Sequence, residues 1–270
     1  MKKILVLGSD GMLGYAVTEY FTKKGYSVTP LTIQEFDITK DTMNKLESNI
    51  KNAEVVINCA GIIKQIISKF SIEYILQVNS IFPRNLTKAC TKHNVLCFHI
   101  TTDCVYSGKK GNYDENDYFD ANDLYGMSKN AGDIKDCMTL RTSIIGEEKG
   151  RQRSLLEWAK SQKGKEVNGF TNHIWNGVTT LYLAEIIENI VNNDLYNKSI
   201  YHVYSPEAVN KFKLMNIINE AYELNLVVKP YETDISIDRS LSSMYSLSKE
   251  LAQKSIRSQI FEMKKFFGSI

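Results

Sequence analysis

Lys3-Ile4-Leu5-Val6-Leu7-Gly8-Ser9-Asp10-Gly11-Met12-Leu13-Gly14 is the stretch that decides the fold. Its apolar run reads as a strand buried on both faces, and glycines 8, 11 and 14 follow at once. The last two fall in the first turn of an amphipathic helical pattern that ends near Lys24-Gly25. Gly8 permits a tight turn, Gly11 lets backbone N–H groups approach a pyrophosphate, and Gly14 lets the helix pack close to the strand. The helix dipole then favours the anion. Glycines at such spacing also occur in ordinary strand-helix turns, and it is the strand before and the helix after that make this a dinucleotide-binding turn. On this reading Gly8, Asp10, Gly11, Met12, Leu13 and Gly14 hold NAD(H) or NADP(H).

Outward from that turn the first half alternates strands and helices, as a parallel sheet covered on both faces does. The strands are read at Lys3–Leu7, Ser27–Leu31, Glu54–Asn58, Val95–Thr101 and Met138–Arg141, with helices near 12–24, 41–51, 71–93 and 121–135. The expected class is α/β, a Rossmann doubly wound parallel sheet with a smaller C-terminal substrate-binding lobe. Later elements are helices at 152–162, 180–193, 211–222 and 258–267 and strands at Ile200–Tyr204 and 226–229. Residues 1–150, with elements near 178–205 returning to them, are assigned to the dinucleotide domain, and 151–177 with 206–270 to the lobe.

With 270 residues, 43% of them apolar, the chain can bury a large core. Lys plus Arg total 33 against 31 Asp plus Glu, so no general charge draws it to nucleic acid or an anionic membrane. Ile4 to Leu7 is too short for a signal-peptide core or a membrane span. Cys59, Cys90, Cys97, Cys104 and Cys137 contain no CxxC pair and sit in apolar contexts, which suits reduced thiols in a cytoplasm. Neither a disulfide nor a metal is expected.

A second site is marked by Tyr125-Gly126-Met127-Ser128-Lys129, whose i, i+4 spacing puts both side chains on one helix face. The same spacing recurs at Tyr20/Lys24, Tyr106/Lys110 and Tyr245/Lys249, so context must choose. Only Tyr125/Lys129 opens the helix after the fourth strand and follows Thr101-Thr102-Asp103 at that strand's carboxyl end, where this fold places its ligands. Reduction of a ketone needs an acid to protonate the developing alkoxide and a second donor on the carbonyl. Tyr125 is the candidate acid and Thr102 the second donor, with the Lys129 ammonium expected to lower the tyrosine pKa from about 10.

These motifs together resemble the short-chain dehydrogenase/reductase superfamily, extended type, whose glycine spacing is GxxGxxG. The resemblance implies that Lys129 and Tyr125 also contact the cofactor and that Asn58-Cys59-Ala60-Gly61 lines it. It further implies that Phe36-Asp37-Ile38 lies beside the adenine and that Asn79 helps hold the site. As plainer readings, Asp37 is also a fitting helix cap and Asn79 a buried amide bonding backbone. Thr32 stands where an acidic residue would select NAD, and its neutrality leans the reading toward NADPH over NADH.

Thr101-Thr102-Asp103-Cys104-Val105-Tyr106-Ser107-Gly108, Tyr113-Asp114-Glu115, Leu124-Tyr125-Gly126 and Leu140-Arg141-Thr142-Ser143 occur in that order. They resemble the dTDP-4-dehydrorhamnose reductase group, which implies NAD(P)H-dependent reduction of the 4-keto group of a nucleotide-linked deoxy sugar. Sugar-nucleotide dehydratases of the superfamily carry Glu where this chain has Cys104, which argues against a dehydratase. Cysteine at that place also occurs in epimerase-reductases, beside a histidine, but Arg141 to Arg153 contains no histidine. A non-catalytic regulatory subunit on the same scaffold is the rival from another class.

On the substrate side the candidates are Asp103, Cys104, Asn172, Trp175 and Arg239. Gly169 to Gly177 is read as a substrate-facing loop, and Arg153 and Arg239 as pyrophosphate partners. Phe170 and Trp175 would equally serve as core residues beneath such a loop. The group's acidic dimer contacts cannot be placed in this chain, so a homodimer is allowed rather than indicated.

Overall fold

The structure is a computed structural model and describes residues 2–150 and 152–270. Met1 and Arg151, and with Arg151 the expected boundary between the two regions, lie outside the described residues. β1 (Lys3–Leu7), α1 (Met12–Lys23), β2 (Ser27–Leu31), α2 (Met43–Ile50) and β3 (Val55–Asn58) open the chain. Then come α3 (Ile72–Leu76), α4 (Phe82–Lys92), β4 (Leu96–Thr102), α5 (Leu124–Ala131), β5 (Met138–Thr142), β6 (Ile144–Ile145) and α6 (Leu155–Ser161). The later part carries β7 (Glu166–Phe170), β8 (His173–Trp175), β9 (Val178–Thr179), α7 (Thr180–Asn192), β10 (Ser199–His202) and β11 (Val209–Asn210). It ends with α8 (Lys211–Tyr222), β12 (Val227–Tyr231), β13 (Ile237–Asp238), α9 (Ser246–Leu251) and α10 (Ile256–Phe267).

Six parallel strands form the main sheet in the order β10-β5-β4-β3-β1-β2. The chain leaves β1 toward β2 on one side and returns to β3 on the other, so the order reverses between β1 and β3. Connections on the two sides diverge there and leave a crevice at the carboxyl ends of the strands. Burial is what drives the arrangement: β3 and β5 are buried along their whole length and β1 from Ile4 onward, and Leu13, Ala16, Val17, Tyr20 and Phe21 of α1 turn inward. Each large side chain so buried contributes roughly 1.5–3 kcal/mol. The two faces have separate cores, one under α1 and α7 and one under α2 and α4.

Three expectations change. The helix read at 71–93 is interrupted by a π-helical turn at Gln77–Ile81, and Pro83 stands in the first turn of α4. The helix read at 121–135 is only Leu124–Ala131, because the Asp123 carboxylate accepts the Gly126 N–H and caps it and Gly132 ends it. Gly169 to Gly177 is not a free loop, since it supplies the end of β7 and all of β8. A small sheet of order β11-β8-β13 and the pair β12-β7 stand apart from the main sheet, in the stretch expected to form the lobe. α10 does not belong to that lobe alone, for Phe267 stacks on Tyr15 of α1 at 5.3 Å and Gln259 accepts the Thr179 N–H.

Candidate active site

The crevice at the strand ends holds two adjoining cavities, of about 370 and about 300 Å³. Both are lined by Gly11, Cys59, Ala60, Gly61 and Arg153, so they form one groove across the β1/β3 reversal. Met12 and Leu13 face the larger; Gly8, Asp10, Thr32, Asp37 and Ile38 face the smaller. The glycines are held to the size of a hydrogen. Gly8 has φ +71°, and a methyl there would lie 2.9 Å from the Ala60 backbone. A methyl at Gly14 would lie 2.0 Å from the Gly8 carbonyl oxygen, so α1 can start this close to β1 only with glycine. A cradle of this shape, with a helix N-terminus behind it, fits a dinucleotide pyrophosphate.

At the adenosine end, the Asp37 carboxylate accepts the Thr39 N–H at 2.9 Å and hydroxyl at 2.7 Å, and Lys40 lies 3.2 Å away. It acts as a turn cap while its residue lines the cavity. Thr32 is tied to Glu35, whose carboxylate accepts the Thr32 N–H at 2.8 Å and hydroxyl at 2.5 Å. These bonds hold the Glu35 carboxyl below its usual range.

The catalytic candidates share the larger cavity. Thr102 ends β4 and Tyr125 sits in the first turn of α5, and both line it together with Lys129. Glycine again sets the approach, because a methyl at Gly126 would lie 2.4 Å from the Cys104 carbonyl oxygen. Lys129 is 6% exposed and its ammonium donates to the Ile100 carbonyl at 3.1 Å. Burial pushes it down to about 8, with Asp133 and Cys59 pulling the other way. The Tyr125 phenol is held above its ordinary value, chiefly by burial and next by Cys104, while Thr102 draws it down. The lowering expected from Lys129 is not found, because desolvation of the phenolate, with Cys104, Asp103 and Asp123, raises the phenol.

Asn79 lies in the π turn, 1% exposed. Its side-chain oxygen accepts the Ile62 N–H at 2.8 Å, and its amide donates to the Ile62 carbonyl and to the Ser128 hydroxyl, both at 3.1 Å. It thus ties the groove wall after β3 to the helix carrying Tyr125 and Lys129. A methyl at Gly132 would lie 1.9 Å from the Asn79 backbone oxygen, so the π turn and α5 touch backbone to backbone.

Asp103 and Cys104 lie beside Thr102, whose hydroxyl accepts the Cys104 N–H at 3.1 Å. Burial raises the Asp103 carboxyl, and burial with Asp103 pushes the Cys104 thiol up to about 12. A thiol in that state is protonated at neutral pH and is no base. Two substrate candidates have partners within the protein. The Asn172 amide is spent on Thr233, donating to its carbonyl at 2.7 Å and accepting its N–H at 3.2 Å and hydroxyl at 3.0 Å. Trp175 is 5% exposed and packs in the core, because a strand places its large apolar side chains inward where a loop would not. Arg239 donates to the Tyr106 carbonyl at 2.8 Å and the Ser107 carbonyl at 3.2 Å, in the turn that follows Asp103 and Cys104.

Sequence reasoning missed Ile62 to Gln65, which line the larger cavity, with Lys64 paired to Asp123 at 2.9 Å. Their place just beyond the carboxyl end of β3 was the signal, by the same rule that selected Gly8 and Thr102. It also missed Lys211, a desolvated cation lying over Trp175, for which no local signal existed.

The family model described as RmlD substrate binding domain matches residues 1–264. The chain is 28% identical over 223 residues to dTDP-4-dehydrorhamnose reductase of Aggregatibacter actinomycetemcomitans, covering 78% of this chain and 76% of that one. It is 31% identical over 134 residues to the enzyme of that name from Mycolicibacterium smegmatis, covering 49% and 40%. The crystal structure of dTDP-4-dehydrorhamnose reductase from Bacillus anthracis in complex with NADP superposes with TM-score 0.81 at 20% identity, covering 100% of each chain.

Proposed function

The chain belongs to the RmlD substrate binding domain family, and from that premise we propose that it reduces the 4-keto group of a nucleotide-linked deoxy sugar with NAD(P)H. One observation carries the reading. Thr102, Tyr125 and Lys129 converge on one cavity that is continuous with the glycine cradle at the β1/β3 reversal.

The Gly8–Gly14 turn, Cys59 to Gly61 and Lys129 would hold a reduced nicotinamide dinucleotide, whose chemistry would be to give a hydride to the carbonyl carbon. The Tyr125 hydroxyl gives its proton to the sugar oxygen as that oxygen takes on negative charge. Burial keeps the phenol protonated before reaction, so the acid is loaded at neutral pH. The Thr102 hydroxyl donates to the same oxygen and orients the ketone. The Lys129 ammonium, in a site with little water, stabilises the phenolate left behind until solvent returns its proton. Asn79 holds the two walls at the spacing these transfers need. The setting is the cytoplasm, in keeping with five free cysteines, and among the described residues no helix is long and apolar enough to cross a membrane.

The test is to incubate purified protein with NADH or NADPH and a panel of dTDP-, UDP-, GDP- and CDP-linked 4-keto sugars, following cofactor oxidation. Tyr125→Phe is expected to lose turnover while still binding cofactor by fluorescence titration. Near-wild-type turnover in that variant sinks the assignment.

A further inference from the structure

Where β2 ends, the chain turns through a dense set of short-range bonds. The Leu31 carbonyl accepts the Gly8 N–H at 2.9 Å and the Ser9 N–H at 3.1 Å, which pins that strand end to the glycine turn. Thr32 follows and lines the smaller cavity beside Gly8, Asp10 and Gly11. The Glu35 carboxylate folds back onto Thr32, accepting its N–H at 2.8 Å and also its hydroxyl. The Thr32 hydroxyl oxygen accepts the Gln34 N–H at 3.1 Å, and the Thr32 carbonyl accepts the Phe36 N–H at 3.1 Å. Next in the chain, the Asp41 carboxylate accepts the Asp37 N–H at 2.8 Å.

An adenosine ribose at this strand end therefore meets a carboxylate, although the strand-end residue itself is neutral. The charge comes from Glu35, in the turn beyond it. Bonds from the Thr32 hydroxyl and N–H hold the Glu35 carboxyl below its usual range, so it is ionised at neutral pH. A ribose 2′-hydroxyl can donate to such a carboxylate, as NAD(H) requires. A 2′-phosphate carries about −1.5 to −2 charges and needs cations or free donors. Here the Thr32, Gln34, Phe36 and Asp37 N–H groups are already bonded within the turn. Asp10 and Asp37 add two more acidic residues to the cavity wall, and Lys40 is committed to the Asp37 carboxylate, 3.2 Å away. Among the described residues, Arg153 is the one cationic residue lining the smaller cavity. It lines the larger one too, which puts it at their junction, with the pyrophosphate rather than the adenosine ribose.

We propose that Glu35 sets the choice of dinucleotide, selecting NADH over NADPH. This rests on reading the groove as the dinucleotide site of a reductase, and it reverses the lean toward NADPH drawn from Thr32 alone. Glu35 acts twice. It occupies both Thr32 donors, which a phosphate would otherwise take, and its charge repels the phosphate.

The experiment is fluorescence titration of the intact chain with NADH and NADPH, and calorimetric titration with 5′-AMP and adenosine 2′,5′-bisphosphate, for wild type, Glu35→Gln and Glu35→Lys. Glu35→Gln keeps an amide oxygen for the Thr32 N–H, and melting curves confirm that each variant is folded. Wild type is expected to bind NADH at least about 10-fold more tightly than NADPH, and 5′-AMP more tightly than the bisphosphate. Glu35→Gln is expected to narrow the gap about 3- to 10-fold by strengthening NADPH binding, and Glu35→Lys to close or invert it. Wild type binding NADPH as tightly as NADH overturns the proposal, and so does an unchanged ratio in Glu35→Gln. In either case a dinucleotide binds and the reductase reading stands. Should wild type bind neither dinucleotide, the proposal and the reductase reading fail together.

Discussion

Two lysines of this chain, Lys129 and Lys211, are both pushed down to about 8 by burial, yet they come from regions of opposite character. Lys129 stands one helical turn from Tyr125 and reaches the Ile100 carbonyl of the neighbouring strand. Lys211 meets Trp175 and the charge of Arg239 only because three short strands pair in one register. The first site is built from local periodicity on the Rossmann sheet, the second from long-range pairing in the lobe. A catalytic group tolerates little displacement, which suits a helix clamped backbone to backbone. Lys211, with Asp103 as its counter-charge, takes no part in the proposed transfer.

The sharpest way to break this contrast is turnover. Lys129→Met should cut kcat by about 10²- to 10⁴-fold, the usual range for acid–base assistance. Lys211→Met should cost kcat far less, because Lys211 does not line the cavity that Thr102, Tyr125 and Lys129 share. Equal kcat losses in the two variants would erase the distinction.

Stability offers the next test, with the opposite sign. Lys129 has a folded pKa of about 8 against about 10.4 unfolded, so the fold holds fewer protons than the unfolded chain between those values. Its burial therefore costs stability below pH 8, and the cost fades as pH rises toward about 10. At roughly 1.4 kcal/mol per unit, Lys129→Met should be up to about 2–3 kcal/mol more stable than wild type at pH 7, less the bond to Ile100. The gap should close by about pH 10. Denaturant titrations at both pH values check this, and a gap that widens with pH contradicts it.

Gly132→Ala probes the clamp that the lobe lacks. A methyl 1.9 Å from the Asn79 oxygen must push α5 from the π turn, at a cost of about 1–3 kcal/mol in melting experiments. Activity should fall further than stability explains, since Tyr125 and Lys129 move with the helix. Trp175→Phe is the mildest change. It keeps a ring beneath Lys211, and turnover should shift less than about threefold, in line with the modest worth of a cation–π contact.

Much of the first site was legible. The glycine turn, the end of β4 and the Tyr125/Lys129 pair each follow from a local pattern joined to the rule that ligands sit at carboxyl strand ends. The surroundings of Trp175 and Asn172 were not legible, because Gly169 to Gly177, rich in Gly and Asn, reads as loop, while pairing with Val209-Asn210 and Ile237-Asp238 makes part of it strand. The π turn at Asn79 was equally invisible, since helical periodicity continues through it and only the close contact with Gly132 reveals it.

The sequence by itself determined the α/β class, the glycine turn after β1 and the Thr102, Tyr125 and Lys129 trio proposed to react, because periods of 2 and 3.6 residues and glycine's missing side chain act between chain neighbours. Only the tertiary structure decided how strongly Tyr125, Cys104 and the two lysines are desolvated, and which late residues pair as strands. Burial and strand register are sums over contacts from distant parts of the chain, and no local spacing contains them.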